Sequence, residues 1–333
     1  MTDIVVMVVA ASGAALVLSL VLAPLESLRW WAGWLGPEDP LPPLPAGEGA
    51  GDAAGGAPTG RESAAFVVFL SGIGSISGDE LLPQERAFLD RLGGLLPEVV
   101  IVSDVFPYAP SGRSLLTGQR FFTRLWRTVD GMRLRGVAVL PAILNLRNLF
   151  QVLVSADGRY GPIYSFAMAQ LIRDGLARAG YRADRATPVV LLGFSGGGQI
   201  SLGAATYLSA ALAAPILIVT IGGVMASDRG LEAIERMTRL YGGLDGVQRI
   251  GAVVFPGRWP LLANSSWNRA LAEGRIVSRE IGPIRHAGEG GYMDAAARPD
   301  GGPSYAEITA RTVADVVRAD LDGLGGRPAA TTA

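Results

Sequence analysis

The sequence predicts an α/β fold: a mostly parallel central sheet flanked by helices. Short runs of β-branched and other apolar residues alternate with longer stretches of helical periodicity along most of the chain. The strand-like runs show no clean polar and apolar alternation, which is typical of parallel strands buried on both faces. With 333 residues, of which 49% are hydrophobic, the chain is long enough to bury a sizeable core.

Six strand-like runs define the predicted sheet. They cover 64–70, 98–106, 188–194, 215–225, 235–242 and 274–282. Helical stretches follow the first run at 81–96 and precede the third at 166–180, and a last one covers 307–321. This order indicates one α/β domain over 64–324.

The stretch from Gly193 to Ser227 contains no charged residue and is long enough to resemble a membrane span. Pro215 and the adjacent Gly222 and Gly223 divide it. We therefore expect a helix followed by a central strand of the buried sheet.

The N-terminal segment predicts a membrane anchor. From Ile4 to Leu25 there are 22 uncharged and mostly apolar residues, enough at a rise of about 1.5 Å each to cross a hydrocarbon core of about 30 Å. A signal peptide is the alternative, but the start MTDI lacks basic residues, and no convincing small-x-small cleavage site follows. We expect a transmembrane helix within 1–27, with an aromatic belt formed by Trp30, Trp31 and Trp34.

The residues that flank the two ends of this predicted helix carry few charges. Asp3 precedes it and Arg29 follows it, so the positive-inside tendency predicts that the rest of a single-pass membrane protein lies on the cytoplasmic side. Residues 28–63 form a juxtamembrane segment and a linker rich in Gly, Pro and Ala, which predicts a flexible tether. The tail 325–333 is expected to be disordered.

The pentapeptide Gly193-Phe194-Ser195-Gly196-Gly197 lies between a predicted strand and a predicted helix. A G-x-S-x-G in this context puts the serine on a tight, strained turn with its hydroxyl exposed above the sheet. The Gly196 amide, at the start of the helix, is then placed to help bind an oxyanion. The pattern therefore predicts a nucleophilic Ser195.

From 64 to 324 the chain resembles the α/β-hydrolase superfamily, in which nucleophile, acid and histidine follow in that order. The resemblance implies that His286, the only histidine, is the base just after the last strand. It implies Asp245, in a G-x-x-D loop after a strand, as the acid; Asp228, one strand earlier, is the alternative. The early-strand loop Ser71–Gly74 would supply a second oxyanion donor, Ile73 or Gly74, although it departs from the HGGG form of lipases.

A cap-like insertion is expected at about 107–158, where this fold often covers its pocket. Within it, 113–147 carries seven arginines and one acid, Asp130. Two interpretations remain open: an amphipathic cap against anionic headgroups, or a solvated helical surface with ordinary core contacts.

Composition excludes several classes of function. A net charge of −1 does not favour nucleic acid as a partner. The absence of cysteine excludes disulfides, thiolate catalysis and Cys-ligated zinc, and a single histidine excludes a His-clustered metal site. We expect neither a metal nor an organic cofactor.

The resemblance implies a membrane-tethered serine hydrolase that cleaves a small-molecule or lipid ester with an apolar part. Ser195 would attack the acyl carbon, His286 would accept its proton, and Asp245 would orient the imidazole. Two alternatives remain: a thioesterase or acyltransferase with the same triad, and a non-catalytic membrane-bound binding or scaffold protein of the same fold.

Overall fold

The structure, a computed structural model, describes residues 63–75, 81–108 and 139–325, with backbone only for 139–144 and 300. The predicted anchor and linker, most of the Arg-rich segment and nearly all of the tail lie outside these residues. Among the helices that are described, none is both long and apolar enough to cross a bilayer.

A six-stranded parallel sheet forms the centre of the domain, in the order β2-β1-β3-β4-β5-β6. This confirms the predicted fold class and all six strand positions, although most strands are shorter than the runs that predicted them. Their bounds are β1 Ala65–Leu70, β2 Val99–Val102, β3 Val189–Phe194, β4 Ile216–Ile221, β5 Arg236–Tyr241 and β6 Ile276–Glu280.

Seven α-helices in the described residues accompany the strands. Their bounds are α1 Pro83–Leu95, α2 Val139–Ala156, α3 Gly161–Arg178, α4 Gly197–Leu212, α5 Val247–Val254, α6 Ser266–Ala272 and α7 Tyr305–Gly325. The uncharged stretch from Gly193 to Ser227 forms α4 and β4, as predicted. The described residues also include four single-turn 3₁₀ helices, at Ala183–Arg185, Arg229–Glu232, Pro256–Arg258 and Pro299–Gly301.

Two apolar cores cover the two faces of the sheet. Alternate residues of β1 point to opposite cores: Val68 packs in the core of α3, α4 and α6, and Phe69 packs in the core of α1 and α7. Five of the six β1 residues are at most 1% exposed. The strand is therefore buried on both faces, which explains its continuous apolar sequence.

The strand order reverses between β1 and β3. The chain leaves β1 toward β2 on one side and leaves β3 toward β4 on the other. In open parallel sheets a crevice forms at the carboxyl ends of the strands where this reversal occurs, and ligands bind there. The loop 71–75 after β1 and Ser195 after β3 both lie at this point.

Candidate active site

Ser195 lies directly after β3 in a strained backbone conformation. Its φ of +53° is in the left-handed region, which a residue with a Cβ seldom adopts. Its amide donates to the Ile221 carbonyl at the end of β4 (3.0 Å), and its carbonyl accepts from the amides of Gly198 and Val224 (both 3.1 Å). These bonds hold the turn in place, as the predicted elbow requires.

The glycines around Ser195 allow the strand and the helix to approach. A Cβ on Gly193 would lie 2.7 Å from the backbone of Gly197 and Gly198, and one on Gly197 would overlap the Leu70 carbonyl oxygen. No side chain fits at either position without moving backbone. Helix α4 begins at Gly197, and Gly196 is its N-cap. The Gly198 and Gln199 amides donate to the Ser195 and Gly196 carbonyls (both 3.1 Å), and the Gly196 amide lies just before them at this corner.

The structure brings Ser195, His286 and Asp245 into one hydrogen-bonded row. His286 Nε2 lies 2.9 Å from Ser195 Oγ, and His286 Nδ1 lies 2.9 Å from Asp245 Oδ2. In the sequence, Ser195 lies 91 positions and Asp245 lies 41 positions before His286. Ser195 is 6% exposed and Asp245 is fully buried, whereas the His286 side chain is 17% exposed, so the imidazole is the most solvent-accessible member of the row.

Asp245 accepts four hydrogen bonds. Oδ1 accepts from the backbone amides of Val247 (2.8 Å) and Gln248 (3.2 Å), and Oδ2 is bonded by His286 and by the Tyr292 hydroxyl (2.7 Å). Burial alone would raise the pKa of Asp245, but the His286 hydrogen bond and charge, with help from Tyr292 and Gln248, lower it below its ordinary value. The carboxylate is therefore ionised at neutral pH.

The ionised carboxylate determines the histidine tautomer. A carboxylate only accepts hydrogen bonds, so Nδ1 of His286 carries the proton that is donated to Asp245. Nε2 then presents its lone pair to the Ser195 hydroxyl. This arrangement can move a proton from the hydroxyl to the imidazole.

Tyr292 supports Asp245 and was not predicted from the sequence. Its hydroxyl donates to Asp245 Oδ2 and accepts from the Gly242 amide (2.7 Å). Burial, followed by the hydrogen bond to Asp245, raises its pKa far above the ordinary value, so the hydroxyl keeps its proton and remains a donor. The sequence signal was available: Tyr292 lies six residues after His286 in the same glycine-rich loop.

His286 is held by its neighbours and by its own loop. The Phe194 ring stacks on the imidazole, with ring centroids 5.5 Å apart and planes 21° apart. In the loop, the Asp294 carboxylate accepts from the amides of Gly290 (2.8 Å), Ala296 (2.8 Å) and Ala297 (3.0 Å). A loop closed in this way fixes the direction in which the imidazole points.

The predicted oxyanion loop, Ser71–Gly74, packs against Gly196. A Cβ on Gly196 would lie 3.1 Å from Ile73 Cγ2. Asn148 Nδ2 donates to the carbonyls of Ile73 (2.7 Å) and Ser75 (2.9 Å). The structure therefore places Ile73 beside the elbow, whereas Gly74 faces Leu82 and Asn145; which amide of this loop would serve as donor stays a prediction.

Two further buried side chains complete the support of this loop. Tyr108 donates its hydroxyl to the Ser71 carbonyl (2.7 Å), and burial raises its pKa, which keeps the hydroxyl protonated. Arg147 Nη1 donates to the Tyr108 carbonyl (2.9 Å) and to Asn148 Oδ1 (3.0 Å). Sequence reasoning missed Tyr108 and Asn148, because the contacts join segments at least 37 residues apart.

Asp228, the alternative acid, lies elsewhere. Its carboxylate accepts from the Gly230 amide (2.8 Å) and from Gln199 Nε2 (3.2 Å). Gln199 in turn accepts from the Ala226 amide (2.7 Å). Asp245, and not Asp228, is the carboxylate hydrogen-bonded to His286.

In the part of the chain that the structure describes, no group of three or more His, Cys, Asp or Glu side chains is arranged to hold a metal ion.

No protein-family model matches this chain. No curated protein is significantly similar to it.

Proposed function

We propose that this protein is a serine hydrolase of the α/β-hydrolase type that cleaves an ester with an apolar part. The observation that carries the proposal is the row Ser195–His286–Asp245, joined by two contacts of 2.9 Å. The parallel sheet with helices on both faces is compatible with that superfamily. The strained φ of Ser195 and the glycines around it add independent support.

The reaction follows from these positions. Ser195 Oγ bonds to the acyl carbon while His286 Nε2 takes the hydroxyl proton. The tetrahedral intermediate then expels the alcohol, which leaves with the proton from His286, and the acyl group stays on Ser195. A water molecule gives its proton to Nε2 and attacks the acyl carbon; the carboxylic acid leaves, and the proton returns to Ser195 Oγ.

Asp245 and the oxyanion donors act at two different atoms. Asp245 holds Nδ1–H and stabilises the imidazolium that forms in each step. The Gly196 amide, together with Ile73 or Gly74, would stabilise the negative charge on the carbonyl oxygen. One such donor is worth about 3–4 kcal/mol of transition-state stabilisation in hydrolases.

Covalent labelling by a fluorophosphonate tests the proposal. We expect the full-length chain in vesicles to be labelled, and Ser195→Ala and His286→Ala to lose labelling. Ser209→Ala is the matched control, because Ser209 lies near the far end of α4 and its hydroxyl donates to the Thr206 carbonyl (3.2 Å). Folded wild-type protein that fails to react in vesicles would contradict an activated serine and favour a binding or scaffold role.

The same acyl-enzyme would serve a thioesterase or an acyltransferase. Product analysis separates these from an esterase: matched oxygen and thioester substrates are compared, and an added alcohol competes with water for the acyl group. We expect the acid to be the main product and the oxygen ester to be cleaved.

A further inference from the structure

An exposed apolar surface lies beyond the carboxyl end of β5. Ser195 follows the carboxyl end of β3, so both lie at the same end of the parallel strands. We name it the α5 surface, since α5 and the loops on either side of it form it. Its large apolar side chains are Leu244, Val247, Ile250, Val253, Val254, Trp259, Leu261 and Leu262. Leu261 is 90% exposed and Val253 is 71% exposed. A single exposed apolar residue is ordinary, but a contiguous set of this size indicates an interaction site.

Helix α5 is turned with its apolar side outward. Its buried residues are Gln248 and Gly251, the reverse of a helix that packs an apolar face on a core. Gln248 Oε1 accepts from Arg239 Nη2 (3.2 Å), and a Cβ on Gly251 would lie 2.6 Å from Arg258 Nη1. Polar contacts therefore fix the inward side, and the outward side is left for a partner.

The segment that forms most of the α5 surface carries only positive charges of its own. From Gly246 to Ala272 the chain has three arginines and neither aspartate nor glutamate. Arg269 pairs with Glu232. Arg249 is exposed and donates to the Gly243 carbonyl (3.3 Å), and within the described residues it forms no ion pair. An apolar surface edged by arginine suits the boundary between acyl chains and anionic headgroups.

We propose that the α5 surface docks on an anionic phospholipid bilayer. Trp259, 42% exposed, is the residue type enriched at that depth of a membrane. The sequence separately predicts an anchor at Ile4–Leu25, and a flexible linker of the length of 28–63 spans roughly 30–36 Å. Such a linker would hold the domain close to the surface on which α5 docks.

Docking would hold the site close to lipid. The α5 surface adjoins the site, because the first amides of α5, those of Val247 and Gln248, bind Asp245. A substrate carried in the bilayer, a lipid ester, would then be held close to the site. This substrate class rests on the proposed hydrolase activity, whereas the docking itself does not.

Site-specific fluorescence tests the docking without using activity. The natural chain has no cysteine, so one introduced cysteine carries one environment-sensitive nitrobenzoxadiazole probe. Val253→Cys reports on the α5 surface. Ala319→Cys is the control: it is exposed on α7, between Arg318, which bonds Glu98 just before β2, and Asp320, which bonds Arg236 at the start of β5. It therefore lies at the amino ends of the strands, whereas α5 follows the carboxyl end of β5.

Both full-length variants are reconstituted into phosphatidylcholine vesicles with roughly one-fifth phosphatidylserine, with and without nitroxide-labelled lipid. We expect the probe at 253 to emit at shorter wavelength and to be quenched severalfold by the nitroxide, and the probe at 319 to do neither. Equal, weak quenching at both positions would overturn the docking. Blue-shifted emission at 253 without quenching would also overturn it, because a second copy or another segment of this chain would then cover the surface.

A paired activity measurement separates the two proposals. The double variant Ile250→Asp, Val253→Asp is expected to keep wild-type fluorophosphonate labelling in detergent and to hydrolyse a vesicle-borne ester about tenfold more slowly. An unchanged rate on vesicles would count against docking. If the probe at 253 is quenched but fluorophosphonate does not label the wild-type protein, the hydrolase proposal would be wrong and the docking proposal would stand.

Discussion

Asp245 and Asp228 occupy similar places in the fold but have different surroundings. They follow adjacent parallel strands, β5 and β4, and each accepts a 2.8 Å hydrogen bond from the amide two residues later. Asp245 is also bonded by His286 and Tyr292. Asp228 has the neutral amide of Gln199 instead.

The pKa values of these two carboxyls shift in opposite directions. Burial raises the pKa of Asp228, and the hydrogen bonds from Gly230 and Gln199 offset only part of that rise. Burial also opposes ionisation of Asp245, but its additional donors, His286 first among them, lower the pKa below the ordinary value. The comparison teaches that the type and number of donors, and not the place after a strand, make a buried carboxylate an effective partner for an imidazole.

The largest expected effect distinguishes the two aspartates by activity. Asp245→Asn should lower kcat for a soluble ester by about 10³- to 10⁴-fold, because an asparagine no longer fixes the reactive tautomer. Asp228→Asn should stay within about twofold of wild type, since Asp228 does not bond His286. Steady-state kinetics of both variants in detergent, with circular dichroism to verify folding, provide the measurement. Similar losses in both variants would contradict the assignment of Asp245.

An intermediate effect is expected from the partner of Asp245. Tyr292→Phe removes the hydroxyl that donates to Asp245 and leaves the Gly242 amide without its acceptor. We expect kcat to fall roughly tenfold, the size of one hydrogen bond to a charged group, with KM unchanged because Tyr292 is fully buried. Tyr181→Phe, which removes another buried tyrosine hydroxyl, bonded to the Thr187 carbonyl, is the control. A change in KM alone would argue for a role in substrate binding.

The smallest effect is a difference in the pH dependence of stability. The lowered pKa of Asp245 means that its stabilisation of the fold is present above the unfolded-state pKa of about 3.9 and is lost as pH falls through the folded-state pKa. The raised pKa of Asp228 has the opposite sign: relative to Asp228→Asn, the wild type loses stability as pH rises from about 3.9 through the folded-state pKa.

Thermal unfolding of both Asn variants and wild type across acid pH tests these signs. The Tm difference between wild type and Asp245→Asn should narrow toward low pH. As pH is lowered, the Tm of the wild type should rise relative to the Tm of Asp228→Asn. If both Tm differences between wild type and variant change with the same sign as pH is lowered, the opposite pKa shifts of Asp245 and Asp228 would be contradicted.

Local patterns predicted the sheet and the position of Ser195. The buried strands are continuous apolar runs, and the turn at Ser195 needs small residues at fixed spacing, so both leave a signal in a few consecutive letters. His286 was found because the chain has a single histidine.

The remaining features depend on contacts between distant segments. Asn148 reaches a loop 73–75 residues earlier in the chain, and no local spacing encodes that distance. Helix α5 would have been predicted in the wrong orientation, because periodicity alone places Val247, Ile250 and Val254 toward a core. The polar contacts of Gln248 reverse that orientation, and they form only in the folded domain.

The positive φ of Ser195 has a consequence for how this chain can change. A residue with a Cβ costs about 1–2 kcal/mol in the left-handed region, whereas glycine adopts it freely. Ser195→Gly should therefore relieve backbone strain that Ser195→Ala retains. The substitution expected to stabilise this turn is thus one that removes the hydroxyl. Under the proposed function, stability and reactivity therefore make opposite demands on this one position.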